Sequence, residues 1–251
     1  MDLDTALRRV ATRDRLLVAS DYDGVLAPIV ADPARAVPHP DAVAVLRDLA
    51  RLPATTVAAV SGRSREDLAR VSGLPAEEIR LIGSHGAELT GSIALTGAQQ
   101  QLRHRLIAAV RQAAGDRPGV RLELKPASVV LHTRTAADRR DAAEVTAAVL
   151  AGPAAWPGVH ATPGKEVVEL SVVPADKGTA VTALRQDHHA DAVLFLGDDV
   201  TDERAFAVLG TDDVGIKVGP GQTLARFRVP DPAAAVGVLR QVLAYRAGPR
   251  S

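Results

Sequence analysis

Two clusters of aspartates each come directly after a short apolar run. Asp21 and Asp23 follow Leu-Leu-Val-Ala-Ser, and Asp198, Asp199 and Asp202 follow Ala-Val-Leu-Phe-Leu-Gly. Ionised carboxylates crowded beside a buried strand repel one another unless a cation or a reaction uses them, and carboxylate oxygens suit a hard dication. The alternatives are an Asx turn after the first run and helix capping after the second, although capping explains one aspartate of the three.

Two further clusters offer groups that could hold an anion. Ser61 and Arg63, separated by Gly62, bring a hydroxyl and a guanidinium to the end of another apolar run. Lys177 stands at a predicted helix start, where its ammonium and the helix N-terminus both favour a negative ligand. The alternatives are a Ser-Gly turn and a solvated lysine in a first helical turn. Lysine is uncommon in this chain, because only four of its 30 lysine and arginine residues are lysines, so its presence at this position is a stronger signal.

The composition excludes several classes of function. The 251 residues are 47% hydrophobic and 24% charged with zero formal net charge, so the chain has material for a core and lacks the positive charge of a nucleic-acid or membrane-surface binder. No apolar run approaches the roughly 20 residues that span a bilayer, and the N-terminus has no apolar signal region, so we expect a cytoplasmic protein. The absence of cysteine excludes disulfides and thiol nucleophiles.

The elements that position these clusters are predicted to form an α/β fold. Short apolar runs predict parallel strands, and helical patterns lie between them, which is typical of βαβ units whose ligands bind beyond the carboxyl ends of the strands. The predicted strands span residues 16–20, 55–61, 79–86, 192–197 and 213–219.

The pattern changes between about residues 91 and 173 to helix, hairpin, helix and strand. We therefore predict a Rossmann-like parallel-sheet core of residues 1–91 and 174–251 with an inserted α+β cap of residues 92–173. Gly91-Ser92 and Pro174-Ala175 are the expected hinges. In the predicted hairpin, alternation points Val120, Leu122 and Leu124 inward, and Arg121, Glu123 and Lys125 to a half-solvated face.

In chain order, these clusters resemble the motifs of the haloacid dehalogenase-like phosphohydrolases, and the segments around them are similar to the trehalose-6-phosphate phosphatase family over about residues 16–227. The segments that carry the similarity are Asp21-Tyr-Asp-Gly-Val-Leu-Ala-Pro28, Ser61-Gly-Arg63, Gly83-Ser-His-Gly-Ala-Glu88, Leu196-Gly-Asp-Asp-Val-Thr-Asp-Glu203, Glu123-Leu-Lys125, Leu131-His-Thr-Arg134 and Gly164-Lys-Glu-Val-Val-Glu169. Val25, Thr133 and Ser171 depart from the family's usual residues, which puts details of the cap in question rather than the chemistry.

The resemblance implies a catalytic and metal-binding set. Asp21 is the expected nucleophile and Asp23 the expected general acid and base. The expected Mg²⁺ ligands are the Asp21 carboxylate, the Asp23 carbonyl and Asp198. Asp202 assists through water or by orienting Lys177, and whether Asp199 or Asp202 touches the metal stays open.

The resemblance also implies groups for the phosphate and the sugar. Ser61, with Gly62 and Arg63, and Lys177 are the expected phosphate-binding residues. The expected sugar-binding residues are His85, Glu123, Lys125, Lys165 and Glu169. If residues 165–169 are extended, Lys165 and Glu169 share a face because the strand period is two. The alternatives are a solvated sheet face with cross-strand ion pairs, each contributing about 0.2–1 kcal/mol, and, for His85, a residue that completes a turn.

The implied activity is Mg²⁺-dependent hydrolysis of trehalose 6-phosphate through an aspartyl-phosphate, with lid closure controlling when the site assembles. Two alternatives stay open: a phosphatase for another sugar phosphate, such as sucrose or glucosylglycerol phosphate, and a catalytically silent domain that regulates a trehalose-phosphate synthase. The expected partners are a small sugar phosphate and, functionally, such a synthase; neither nucleic acid nor membrane is expected, and the expected assembly is a monomer.

Overall fold

The computed structural model describes residues 1–30, 32–89 and 93–248. The chain divides into two compact units, one of residues 1–89 and 175–251 and the other of residues 90–174. The predicted hinge at Gly91-Ser92 lies outside the described residues. Among the helices that are described, none is long and apolar enough to cross a membrane.

Strands and α-helices alternate along the first unit except at its last two strands, which are consecutive, and the second unit has two pairs of consecutive strands. The strands are β1 (Leu16–Ser20), β2 (Thr55–Val60), β3 (Arg80–Ile82), β4 (Arg121–Leu124), β5 (Ser128–His132), β6 (His160–Gly164), β7 (Val167–Ser171), β8 (Ala192–Gly197), β9 (Val214–Val218) and β10 (Phe227–Val229). The α-helices are α1 (Leu3–Ala11), α2 (Ala42–Ala50), α3 (Arg65–Ser72), α4 (Gly97–Ala114), α5 (Arg139–Ala151), α6 (Lys177–Asp187), α7 (Asp202–Ala207) and α8 (Pro232–Ala247).

A parallel sheet in the order β10-β9-β8-β1-β2-β3 forms the centre of the first unit. β1 lies between β2 and β8, with Leu16 opposite both Thr55 and Ala192. Every residue of β1, β8 and β9 is buried, as the continuous apolar runs predict for strands covered on both faces. β3 is shorter than predicted, because a 3₁₀ turn begins at Ser84 after it.

Helices cover both faces of this sheet. Leu16 and Val18 of β1 point into a core shared with α1, α2 and α8, for example Leu7 and Leu239. The alternate residues point into a second core, built with α6 and α7. This period of two explains why a five-residue strand can be apolar throughout.

An antiparallel sheet in the order β4-β5-β7-β6 forms the second unit. One face packs on α4 and α5 through an apolar core that contains Val129, Leu131 and Leu170. Glu123 lies opposite Val130, which lies opposite Glu169, so both glutamates point to the other face. The predicted α/β class, with a parallel core and an additional α+β unit, is confirmed.

Two expectations for this second unit are wrong. Lys165 does not share an extended segment with Glu169: residues 160–164 and 167–171 form a hairpin, and Lys165 lies exposed in its two-residue turn, with Glu166 at φ 60°. Leu124 is half-exposed at the end of an edge strand rather than buried, whereas Lys125, expected on a half-solvated face, is buried.

Candidate active site

The aspartate clusters lie at the carboxyl ends of neighbouring parallel strands. Asp21 follows β1 and Asp198 follows β8, and the backbone N–H of Asp21 donates to the carbonyl of Leu196 at 2.9 Å. Ser61 follows β2 on the other side of β1. Because the carboxyl ends of parallel strands meet at one edge, residues far apart in sequence converge there.

Lys177, the first residue of α6, lies between two of the carboxylates. Its Nζ is 2.7 Å from Asp21 Oδ2 and donates to Asp202 Oδ1 at 2.8 Å. Lys177 is 2% exposed and Asp202 is fully buried. Asp21, Asp198 and Asp202 each have a carboxylate oxygen within 4.8 Å of the others. Three carboxylates thus gather around one buried ammonium.

The electrostatics of this cluster follow from burial and crowding. Burial raises the pKa of Asp21 well above its usual value; Lys177 opposes that rise, and Asp202 and Asp198 add to it. The pKa of Asp198 is raised to about 7, mainly by burial and next by repulsion from Asp202. Burial alone would lower the pKa of Lys177, but Asp202 and Asp21 raise it, so the ammonium stays charged. The cluster therefore holds more negative charge than one lysine balances.

The loop after β8 is organised by Asp202. Its Oδ2 accepts hydrogen bonds from the backbone N–H groups of Asp198 and Asp199, both at 2.9 Å, while its Oδ1 accepts from Lys177. Asp199 is exposed and accepts from the N–H of Val200. The structure therefore brings Asp202, and not Asp199, together with Asp21 and Asp198.

Two glycines allow this close approach. Gly24 has φ +79°, and a Cβ built on it would lie 2.1 Å from Oδ2 of Asp198. A Cβ on Gly197 would lie 2.4 Å from the Cβ of Asp202. A larger residue at either position would displace an acidic side chain of the cluster.

The acidic cluster fits a hard divalent cation. Its donor set is carboxylate oxygen, which Mg²⁺ prefers, and burial together with repulsion from the neighbouring carboxylates raises the pKa of Asp21 and Asp198. A bound cation would neutralise the charge that Lys177 leaves unbalanced. Asp21 and Asp198, with Asp202 beside them, are the side chains that could hold it.

Arg63 contacts Asp23 rather than standing free for a phosphate. Its Nε donates to Asp23 Oδ2 at 2.7 Å and its Nη2 to Oδ1 at 2.8 Å. Its Nη1 donates to Asp67 at 2.7 Å, and Nη2 also donates to the carbonyl of Pro33 at 2.8 Å. The guanidinium carbon lies 5.7 Å from the ring centroid of Tyr22. All three guanidinium nitrogens are thus engaged.

The loop after β2 packs on the turn after β3. The Ser61 carbonyl accepts from the N–H of His85 at 2.9 Å, and the Ser61 Oγ accepts from the N–H of Arg63 at 3.2 Å. A Cβ on Gly62 would lie 2.6 Å from Cε1 of the His85 ring. The backbone of His85 has φ 55°, a left-handed conformation that residues other than glycine rarely adopt. His85 therefore contacts the predicted phosphate-binding loop within the first unit.

The second unit brings together three of its four predicted sugar-binding residues on one face of the sheet. Lys125 Nζ donates to Glu169 Oε2 at 2.9 Å, and Ser128 Oγ donates to Glu169 Oε1 at 2.6 Å. His132 Nε2 lies 2.9 Å from Oε2 of Glu123, and that hydrogen bond, with Lys125 nearby, lowers the pKa of Glu123. Lys165, in the β6–β7 turn, is the fourth.

The sequence did not indicate several of the residues that pair with the predicted site residues. Asp67 lies four residues after Arg63, a spacing that could have suggested the pair. Lys217, one of the four lysines, is buried on β9 and donates to the carbonyl of Asp198. Ser128 carries no sequence signal beyond its polarity, and His132 lies in the Leu131-His-Thr-Arg134 segment that carries the family similarity, without a sign of its pairing with Glu123.

Comparisons with known proteins place this chain in a family. The family model described as trehalose-phosphatase matches residues 19–232. The chain belongs to the trehalose-phosphatase family. It is 36% identical over 256 residues to a trehalose-phosphate phosphatase of Mycobacterium marinum, covering 92% of this chain and 64% of that protein. It is 34% identical over 249 residues to a bifunctional trehalose-6-phosphate synthase/phosphatase of Thermoproteus tenax, covering 96% of this chain and 34% of that protein.

The chain therefore spans about a third to two thirds of the length of these family relatives. Among solved structures, a trehalose-6-phosphate phosphatase related protein is 28% identical, with a TM-score of 0.71 over 91% of this chain and 97% of the other. A haloacid dehalogenase-like hydrolase from Bacteroides thetaiotaomicron is 13% identical, with a TM-score of 0.65 over 90% and 99%. The latter similarity shows the fold alone, and it confirms the predicted haloacid dehalogenase-like type of core.

Proposed function

We propose that this chain is a Mg²⁺-dependent phosphatase that hydrolyses trehalose 6-phosphate to trehalose and phosphate. The observation that carries the proposal is the group of Asp21, Asp198 and Asp202 around the buried Lys177 at the carboxyl edge of the sheet, in which Asp21 and Asp202 are buried and Asp198 is partly buried. Phosphoryl transfer needs a nucleophile and positive charge around the transferring oxygens; this group offers a carboxylate as nucleophile, the Lys177 ammonium, and carboxylates that could hold a cation. Membership of the trehalose-phosphatase family supports the choice of substrate.

In the first step, an Asp21 carboxylate oxygen attacks phosphorus in line, forming an O–P bond as the bond from phosphorus to the sugar oxygen breaks. Asp23 donates its proton to the departing sugar oxygen. The hydrogen bond from the backbone N–H of Tyr22 to Asp21 Oδ1, at 2.6 Å, restricts rotation of the nucleophile. The first step ends with an aspartyl-phosphate and free trehalose.

In the second step, water attacks the phosphorus of the aspartyl-phosphate and Asp23 accepts its proton, so phosphate leaves and Asp21 is regenerated. Lys177 and Ser61 hold the phosphoryl oxygens throughout. Asp21, the Asp23 carbonyl and Asp198 would hold Mg²⁺, which when bound would neutralise charge on the phosphoryl group.

The second unit selects the sugar in this proposal. Glu123, Lys125, Lys165 and Glu169 offer donors and acceptors to uncharged hydroxyls, and a polar site of this kind rejects esters that lack the matching groups. His85 stays a candidate contact. A cytoplasmic location, a monomeric state and functional pairing with a synthase are part of the proposal, and the fused synthase of Thermoproteus tenax supports the pairing.

The test is phosphate release from trehalose 6-phosphate, glucose 6-phosphate and sucrose 6-phosphate, each with Mg²⁺ and with EDTA. We expect the highest kcat/KM for trehalose 6-phosphate and its loss on chelation. A higher kcat/KM for another ester would mean that this ester, and not trehalose 6-phosphate, is the substrate. Equal kcat/KM values for all three would mean that the second unit does not select the sugar. No turnover on any ester would favour a regulatory domain.

A further inference from the structure

Arg63 connects Asp23 to the body of the first unit. Its guanidinium makes two parallel hydrogen bonds to the Asp23 carboxylate, at 2.7 and 2.8 Å. On its opposite side it donates to Asp67, in the first turn of α3, at 2.7 Å and to the Pro33 carbonyl at 2.8 Å. One side of the fork is therefore fixed to the fold and the other holds Asp23.

The exposures of the two side chains show which one fixes the other. The Arg63 side chain is 9% exposed, whereas that of Asp23 is 37% exposed. Arg63 also lies over the ring of Tyr22, whose hydroxyl donates to the Ala36 carbonyl at 2.6 Å. A buried, multiply anchored guanidinium is the rigid member of the pair, and the more exposed carboxylate takes its orientation from it.

A bidentate contact of this kind leaves the carboxylate able to react. A carboxylate has about four lone-pair sites on its two oxygens, and the fork of an arginine uses one on each. The remaining sites of Asp23 stay available for the sugar oxygen or for water, while rotation of its carboxylate is restricted. Lysine cannot reproduce this geometry, because its ammonium is a point charge without a planar fork.

We propose that Arg63 is a positioning residue that orients Asp23 for proton transfer, with Asp67 as the anchor of Arg63. This inference rests on the acid and base role given to Asp23 in the proposed function. It replaces the sequence-based expectation that Arg63 binds the phosphate directly. In the step concerned, the proton moves from an Asp23 oxygen to the leaving oxygen as the bond from phosphorus to that oxygen breaks, and Arg63 exchanges no proton.

The two roles for Arg63 predict different dependence on the leaving group. A good leaving group such as p-nitrophenolate departs with little help from an acid, whereas phenolate needs protonation more. Loss of an Asp23-orienting group therefore harms poor leaving groups most. Loss of a phosphate-binding group harms all esters alike, because every ester presents the same phosphate.

The experiment measures kcat/KM with Mg²⁺ for a series of substituted phenyl phosphates, which avoids any contribution from sugar recognition. The chains compared are the unaltered protein, Asp23→Asn, Arg63→Lys and the double variant. We expect Arg63→Lys to lose about 10-fold on p-nitrophenyl phosphate and about 100-fold on phenyl phosphate, the same trend as Asp23→Asn. On the Asp23→Asn background, we expect Arg63→Lys to add less than about threefold, because it acts through Asp23.

Equal losses across the series, or losses that multiply in the double variant, would overturn the positioning role. Arg47→Lys, which changes an arginine paired with Glu78 elsewhere in the first unit, is the matched control and should retain full activity. Thermal unfolding checks the fold of each variant. Asp67→Asn leaves Arg63 itself unaltered but weakens its anchor, so it should show a weaker form of the same trend and provides the test if Arg63→Lys does not fold.

The outcomes also separate this inference from the proposed function. If Asp23→Asn shows the trend with the leaving group and both Arg63→Lys and Asp67→Asn lack it, only the positioning role fails. If Asp23→Asn shows no trend with the leaving group, the acid role of Asp23 fails and the inference fails with it.

Discussion

Two buried lysines, Lys177 in the first unit and Lys125 in the second, meet their carboxylates in different ways. Lys177 contacts Asp21 and Asp202, with Asp198 close by, so three carboxylates surround one ammonium. Lys125 pairs with Glu169, whose other oxygen accepts from Ser128. Lys217 also contacts the carbonyl of Asp198, so the first group sets three carboxylates against two ammoniums and gains from a cation, whereas in the second group Lys125 contacts Glu169 and His132 contacts Glu123. In the proposed function, this difference separates the reaction centre from the surface that recognises the sugar.

The largest expected effect is on the nucleophile of the first group. Asp21→Asn removes the attacking oxygen and one negative charge, so we expect hydrolysis of trehalose 6-phosphate to fall by about 10³-fold or more while the fold is retained. Phosphate release and circular dichroism measure the two quantities. Asp212→Asn, which changes an aspartate paired with Arg9 and Arg13, is the control and should be fully active. Retention of a tenth of the activity by Asp21→Asn would mean that the nucleophile is another residue.

Removing each lysine tests the charge difference directly. Lys177→Met leaves buried carboxylates without their ammonium, and we expect the free energy of unfolding in EDTA to fall by about 3–5 kcal/mol. Mg²⁺ should stabilise Lys177→Met by more than it stabilises the unaltered protein, because the cation takes over part of the missing charge. Lys125→Met should also be destabilised in EDTA, but Mg²⁺ should stabilise it only as much as the unaltered protein. Urea unfolding of all three proteins with and without Mg²⁺ gives the comparison, and equal Mg²⁺ increments for the two variants would contradict it.

Glu169 tests whether the second group recognises the sugar. Glu169→Gln should lower kcat/KM for trehalose 6-phosphate by about 10²-fold, because a charged hydrogen-bonding partner is lost, and change p-nitrophenyl phosphate hydrolysis by less than about threefold. The matched control is Glu144→Gln, which changes an exposed glutamate of α5 paired with Arg140. If both substrates suffer equally in Glu169→Gln, Glu169 acts outside sugar recognition.

The smallest effect expected is a pH dependence of stability in the metal-free protein. The pKa of Asp198 is about 7 in the folded state against an ordinary 3.8, so the folded state binds its proton more tightly than the unfolded state. Stability in EDTA should therefore fall as pH rises from about 4 to 7, and then level off. Asp198→Asn should flatten this fall, by roughly 1 kcal/mol after allowance for solvent screening. Unfolding in urea at pH 5 and pH 8 measures it, and an unchanged slope in the variant would assign the dependence to other groups.

The fold was predictable where the local pattern and the tertiary role agree. β1 and β8 are continuous apolar runs because both faces of the parallel sheet are covered. β6, which in the described part of the chain pairs with β7 alone, contains Pro163 and Gly164, and this composition predicts a loop. Because the sequence gives no sign of a strand before Lys165, it places Lys165 at the start of the next strand rather than in the turn of a hairpin.

The candidate site was predictable as a set of residue types but not as a set of contacts. The spacing of the aspartates indicated their shared position at strand ends. The pairing of Arg63 with Asp23 joins residues 40 apart, and that of Lys217 with Asp198 joins residues 19 apart. Such contacts depend on which strands are neighbours, and local sequence does not encode that order.

The most direct test of the reaction centre is to trap the phosphorylated nucleophile. The protein is mixed with trehalose 6-phosphate and Mg²⁺, quenched in acid within one turnover and treated with borohydride, which reduces an acyl phosphate to an alcohol. Peptide mass spectrometry should find homoserine at position 21, and should not find it in EDTA or in Asp21→Asn. Rapid phosphate release with unmodified Asp21 at every quench time, or with homoserine at another aspartate, would contradict the account.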